Sequence, residues 1–136
     1  MQVVVTSRSF SKNKFLKNEV LKRYPKTKFN NQGLTLHGDN LIEFIGNAEK
    51  AIIALETLSE DVLRKLPNLK IVGKYGVGLD KIDLRAMSKL NKKIGWKAGV
   101  NKRSVSELTL SFMISSLRKL RLCQSEILAG NFNQIQ

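Results

Sequence analysis

Proline is nearly missing from this chain, with two residues in 136, Pro25 and Pro67, while hydrophobic residues make up 42%. That balance excludes the composition of a disordered or polyproline segment. Cysteine occurs once, at Cys123, so no intramolecular disulfide can form, and no second Cys or His stands near it to share a metal. Histidine also occurs once, at His37. No apolar run approaches the ~20 residues that span a bilayer. The opening Met1-Gln2-Val3-Val4-Val5 lacks the basic start and long apolar core of a secretory signal. A cytoplasmic protein with no membrane partner is expected. There is no internal repeat, and a domain of this length buries roughly two-thirds of its unfolded surface.

Acidic residues are scarce as well: 11 Asp and Glu stand against 24 Lys and Arg, a net charge of +13. Clustered cations would suit nucleic acid through counterion release. Here the basic residues are spread over almost every segment. No Cys/His finger is present, and Phe10, Phe15, Tyr24, Phe29 and Phe44 fall at core spacings rather than as a stacking platform. No nucleic-acid partner is expected, and part of the charge is available to attract a small anion.

Apolar patterning supplies the organisation. Val3-Val4-Val5 reads as a buried strand, and Phe15, Val20 and Leu21 mark a helix stopped by Pro25. Thr27-Lys28-Phe29 is a weak edge strand. Asp39 is placed to cap a helix through Ala48. Ala51-Ile52-Ile53-Ala54-Leu55 is the clearest buried strand, and Ser59 opens a helix carrying Val62, Leu63 and Leu66. Leu69 to Gly73 is a strand, Ile82 to Leu90 a helix, and Lys93 to Trp96 a fifth strand. Ser104-Val105-Ser106-Glu107 matches a capping box for a helix running to about Ala129, where Gly130 is a natural stop. Parallel strands need crossover helices, so five strand–helix alternations predict an α/β fold: a flavodoxin-like, five-stranded parallel sheet with helices on both faces. The last helix is about twice the usual length, and too much of its circumference is apolar for one sheet to cover.

Three loops are candidate sites. Thr6-Ser7-Arg8-Ser9 is a polar turn after the first strand, but it lacks the glycines of a phosphate cradle and reads better as a strand-to-helix turn. Glu56 stands where a phospho-accepting receiver would need Asp, without an acidic pair after the first strand, so it reads as a solvated loop residue. Lys74-Tyr75-Gly76-Val77-Gly78-Leu79-Asp80 lies at a strand's carboxyl end, where open α/β sheets bind ligands. Its two glycines let the backbone approach a carboxylate, although a structural turn fits the same spacing. It is not the dinucleotide fingerprint, since position 81 is Lys81 rather than glycine. His37, in a loop after Gly33, reads as a solvated residue.

The stretch from Leu69 to Leu84, with Lys74-Tyr75-Gly76-Val77-Gly78-Leu79-Asp80-Lys81-Ile82-Asp83, closely resembles a signature of D-2-hydroxyacid dehydrogenases of the phosphoglycerate dehydrogenase type. Gly99-Val100-Asn101 followed by Ser104-Val105-Ser106-Glu107-Leu108 is similar to the same family's entry into a long interdomain helix. The two linked motifs are more specific than either alone, and the resemblance covers residues 50 to 130 best. It implies a substrate domain over residues 1–102 and a linker helix over 103–130, with the nucleotide-binding domain and the catalytic Arg, Glu and His absent. It implies that Lys74, Gly76, Val77 and Gly78 hold the carboxylate of a small anionic 2-hydroxy or 2-oxo acid. Val77 and Val105 would flank the nicotinamide end of NAD, with NADP not distinguished. Asp80 would brace the loop, Glu107 cap the helix, and Asn101 sit in the crossing segment. Lys74 replaces the family's usual Arg, Lys81 its Asn, and Trp96-Lys97-Ala98 its Asn-Thr-Pro. The implied function is hydride transfer between NAD(H) and the acid, with these residues alone inactive. A homo-oligomer through the 104–129 helix is also expected. Alternatives are a non-catalytic anion-binding or regulatory paralogue and a basic nucleic-acid-associated domain.

Overall fold

Strand β1 (Val3–Val5) is fully buried, as its unbroken valine run requires of a central parallel strand. In the computed structural model, which describes residues 2–132, it pairs in parallel with β2 (Lys28–Phe29) on one side and β3 (Lys50–Ile53) on the other. β4 (Ile71–Lys74) and β5 (Lys93–Gly95) follow, giving the parallel order β2-β1-β3-β4-β5. That is the flavodoxin-like order expected from the alternation.

The crossovers are α1 (Arg8–Lys12) and α2 (Lys14–Arg23), then α3 (Gly38–Ile45), α4 (Glu60–Arg64) and α5 (Leu84–Lys89). Val4, Ala51, Ile53 and Val72 point to one face and pack with Leu41, Ile45, Val62, Leu63, Ala86 and Met87 of α3, α4 and α5. Coverage of the other face is uneven. Val3, Val5 and Phe10 are buried, whereas Ile52, Ile71 and Gly73 are half-buried and Lys93 and Gly95 exposed.

Local signals held where a side chain could act alone. Ser59 Oγ accepts from Val62 N at the start of α4. Asp83 Oδ1 caps α5 through Ala86 N at 2.9 Å. Three expectations need correction. The first helix is two: Asn13 ends α1 and its Oδ1 caps α2 through Leu16 N, so Phe15 is exposed and Phe10 takes the core place. Asp39 does not cap α3, which starts after His37 without a side-chain cap and ends at Ile45; Asp39 pairs with Lys65 instead. The third strand stops at Ile53, leaving Leu55 exposed.

The chain divides into two units, Met1–Ala98 and Gly99–Gln136. In the second, the expected single helix is α6 (Lys102–Leu117) and α7 (Leu120–Leu128). The break is at Lys119, a left-handed residue with φ 51° and ψ 36°. A non-glycine residue pays roughly 1–2 kcal/mol for that conformation, and no Gly or Pro marks the place in the sequence. The capping box does not form either: α6 begins two residues before Ser104, and Glu107 pairs with Arg103 at 2.8 Å.

Candidate acid-binding site

The carboxyl ends of β1, β3 and β4 carry all three loops singled out from the sequence. The loop after β4 is fixed at both ends by the backbone. Tyr75 N donates to Ile53 O at 2.7 Å, and Lys81 O accepts from Leu58 N at 2.8 Å. Between these pins, the amides of Gly76, Val77 and Gly78 donate to no acceptor among the described residues. Gly76 has φ +134°, a backbone region that only glycine enters without strain. At Gly78 an added Cβ would meet Asp80 Oδ1 at 2.8 Å. Three successive amides with no internal acceptor, on a backbone bare of side chains at two of the three, form a surface suited to an oxyanion.

Lys74 closes β4 half-buried, and its Nζ donates to Ala54 O at the end of β3. An ammonium has three donors, so two remain for a ligand. Asp80 is exposed and makes no hydrogen bond among the described residues, so it does not brace the loop as expected. That part belongs to Trp96, whose Nε1 donates to Val77 O at 3.0 Å. Trp96 thus fixes the carbonyl of a residue whose own amide donates to no acceptor among the described residues. Behind the loop, Phe10 meets Tyr75 edge-to-face with ring centroids 5.2 Å apart.

Glu56 corrects another expectation. It is 8% exposed, and its Oε2 accepts from Ala54 N at 2.6 Å. Burial and a backbone partner exclude a merely solvated side chain. The Thr6–Ser9 turn behaves as expected, with Ser7 Oγ accepting from Phe10 N to cap α1. His37 is exposed, ahead of α3. Among the described residues, no group of three or more His, Cys, Asp or Glu could hold a metal ion, and no helix is long and apolar enough to cross a membrane. Val105 is exposed on α6, and Asn101 precedes that helix without a side-chain cap. Val77 lies in the first unit and Val105 in the second.

Residues 3–132 match the model of the D-isomer specific 2-hydroxyacid dehydrogenase family, catalytic domain. The chain belongs to this family. It is 28% identical over 125 residues to a glyoxylate/hydroxypyruvate reductase of Arabidopsis thaliana, a match covering 88% of this chain and 38% of the relative. It is 27% identical over 97 residues to D-3-phosphoglycerate dehydrogenase of Methanocaldococcus jannaschii, covering 71% of this chain and 18% of that one. Among solved structures, D-lactate dehydrogenase of Aquifex aeolicus, complexed with NAD and lactic acid, superposes with a TM-score of 0.79 at 19% identity. That match covers 100% of this chain and 39% of that one. The structural likeness supports the fold. This 2-hydroxyacid dehydrogenase domain therefore spans about two-fifths or less of the length of these three relatives.

The described residues do not by themselves fit a dinucleotide's pyrophosphate. The glycine pair is not followed by a third glycine at position 81, where Lys81 stands instead. What this dehydrogenase domain offers is a half-buried cation beside a run of backbone donors.

Proposed function

We propose that this chain is the acid-binding domain of a nicotinamide-dependent D-2-hydroxyacid dehydrogenase. The loop from Lys74 to Gly78 holds the carboxylate of a small 2-hydroxy or 2-oxo acid. The observation that carries this reading is the row of unengaged amides at Gly76, Val77 and Gly78 beside Lys74. Lys74 attracts the carboxylate as a point charge, where an arginine would have gripped it as a fork. The Val77 and Gly78 amides fix its orientation. Val77 provides an apolar contact for the nicotinamide end of NAD or NADP. Position 81 carries Lys81 rather than the third glycine of a pyrophosphate cradle, so in this reading the share of these residues in the reaction is binding and orientation.

Purified chain mixed with NADH and glyoxylate or hydroxypyruvate is expected to consume no NADH above a buffer blank, followed by absorbance. Clear turnover would place the cofactor site and the acid–base group within these 136 residues and overturn the division of labour.

The second unit supports an oligomer. Phe112, Met113, Ile114 and Leu117 on α6 and Leu128 on α7 are exposed, Leu117 and Leu128 to 80%. Contiguous apolar surface of this kind drives association, most simply as a two-fold dimer. Light scattering is expected to show a mass that rises with concentration, and the double substitution Phe112→Glu, Leu117→Glu to leave monomer. A wild-type monomer across the concentration range would remove the oligomer.

A further inference from the structure

Among the described residues, the one hydrogen bond made by residues 76–78 comes from Trp96, whose Nε1 donates to Val77 O at 3.0 Å. That oxygen belongs to the same peptide group as the Gly78 N–H. The group is planar and trans, so its C=O and N–H point in opposite directions. Whatever fixes the Val77 oxygen therefore also fixes the direction in which Gly78 donates.

The peptide needs such a hold. The bonds at Tyr75 N and Lys81 O secure the ends of the loop and leave its middle free to turn. Rotating the Val77–Gly78 peptide by half a turn exchanges the directions of its oxygen and hydrogen and makes φ of residue 78 positive, the change that relates the two common β-turn types. Most residues resist that conformation, and glycine accepts it at little cost. Gly78 does not have a positive φ in this structure, so its peptide is in one of two accessible states. In the other, an oxygen would face the acid where a donor is required. Trp96 is 42% exposed, so water can replace its N–H at the oxygen, but water solvates both orientations and selects neither. The indole selects one because the sheet places it. Trp96 directly follows β5, beside the last register pair of β4 and β5, Gly73 with Gly95.

The bond also acts on the donor. A carbonyl that accepts a hydrogen bond polarises its peptide group, and the N–H at the other end becomes a stronger donor. The effect is reciprocal: an anion accepting from Gly78 N–H makes Val77 O a better acceptor for the indole.

We propose that Trp96 is a positioning residue of the acid site, holding the Val77–Gly78 peptide so that the Gly78 N–H faces the carboxylate and strengthening that donor. The proposal rests on the reading of residues 74–78 as the carboxylate site.

Trp96 is the chain's single tryptophan, so its indole N–H gives one unambiguous signal in the ¹⁵N-labelled chain. Titration with glyoxylate is expected to move that signal downfield, saturating together with the amides of residues 76–78. Trp96→Phe keeps an aromatic ring and removes the donor. It should weaken glyoxylate binding about fivefold, the net contribution of one neutral hydrogen bond, with the largest loss of shift at Gly78. Amide dispersion of Leu58, Leu63 and Val72 reports whether the variant keeps its core. An indole signal that stays in place or moves upfield while the 76–78 amides saturate would overturn the proposal and leave the carboxylate site standing. So would an unchanged affinity in folded Trp96→Phe. Amides of residues 76–78 that do not respond to glyoxylate would remove both. The wild-type indole signal decides the matter even if the variant fails to fold.

Discussion

Replacing Gly76 by valine is expected to weaken acid binding by about thirtyfold, with the sheet intact. At φ +134° a valine strains the backbone. Relief costs roughly 1–3 kcal/mol, either borne by the loop or avoided by turning the amides away, and each 1.4 kcal/mol corresponds to about a tenfold loss. The damage should stay local, because Tyr75 N and Lys81 O hold the loop ends to Ile53 and Leu58. Titration with glyoxylate measures the affinity, and amide dispersion of Leu58, Leu63 and Val72 reports the core. Gly78→Ala acts differently: its φ is not in the positive range, and its cost is displacement of the Asp80 carboxylate from 2.8 Å. A smaller effect there than at Gly76 is expected, and equal affinity of Gly76→Val and wild type would show that the amides do not contact the acid.

Lys74→Ala is expected to weaken binding by about tenfold, the loss of one charged hydrogen bond of ~1.5 kcal/mol. In a two-domain dehydrogenase carrying this domain, the same change should raise KM by a similar factor and alter kcat much less, since the lysine holds substrate and transition state alike. The variant also frees the Ala54 carbonyl, but that residue is half-exposed and water can replace the ammonium. Lys74→Arg restores the charge and adds a fork, so it should recover affinity. An unchanged KM in Lys74→Ala would leave the lysine with its structural bond to β3 as its whole function.

Both variants act at a loop that the sequence made legible, and the reason is local. Two glycines one residue apart after an apolar run announce a close backbone approach at a strand end, and the strand order follows from crossover helices between parallel strands. Ser59 was legible as a cap because a hydroxyl directly ahead of an acidic turn, Glu60-Asp61, acts on its nearest amides. Glu56 was not. Its burial depends on β3 stopping at Ile53 and turning the chain, so that a charged residue folds back onto Ala54 N. Trp96 stood out in the sequence only as part of a replacement of the family's Asn-Thr-Pro, and its bond to Val77 O spans nineteen residues, which no periodicity encodes. The break at Lys119 escaped for the opposite reason. The apolar pattern continues through it, and a left-handed lysine leaves no compositional mark.

Whether Lys74, Gly76, Val77 and Gly78 hold the carboxylate of a 2-oxo acid is answered most directly by titrating the labelled chain with glyoxylate. Saturable shifts should appear in the Gly76, Val77 and Gly78 amides, with an affinity reduced about tenfold in Lys74→Ala. Saturable shifts that leave those three amides unmoved, or an affinity indifferent to Lys74, would contradict the assignment of this loop as the acid-binding site.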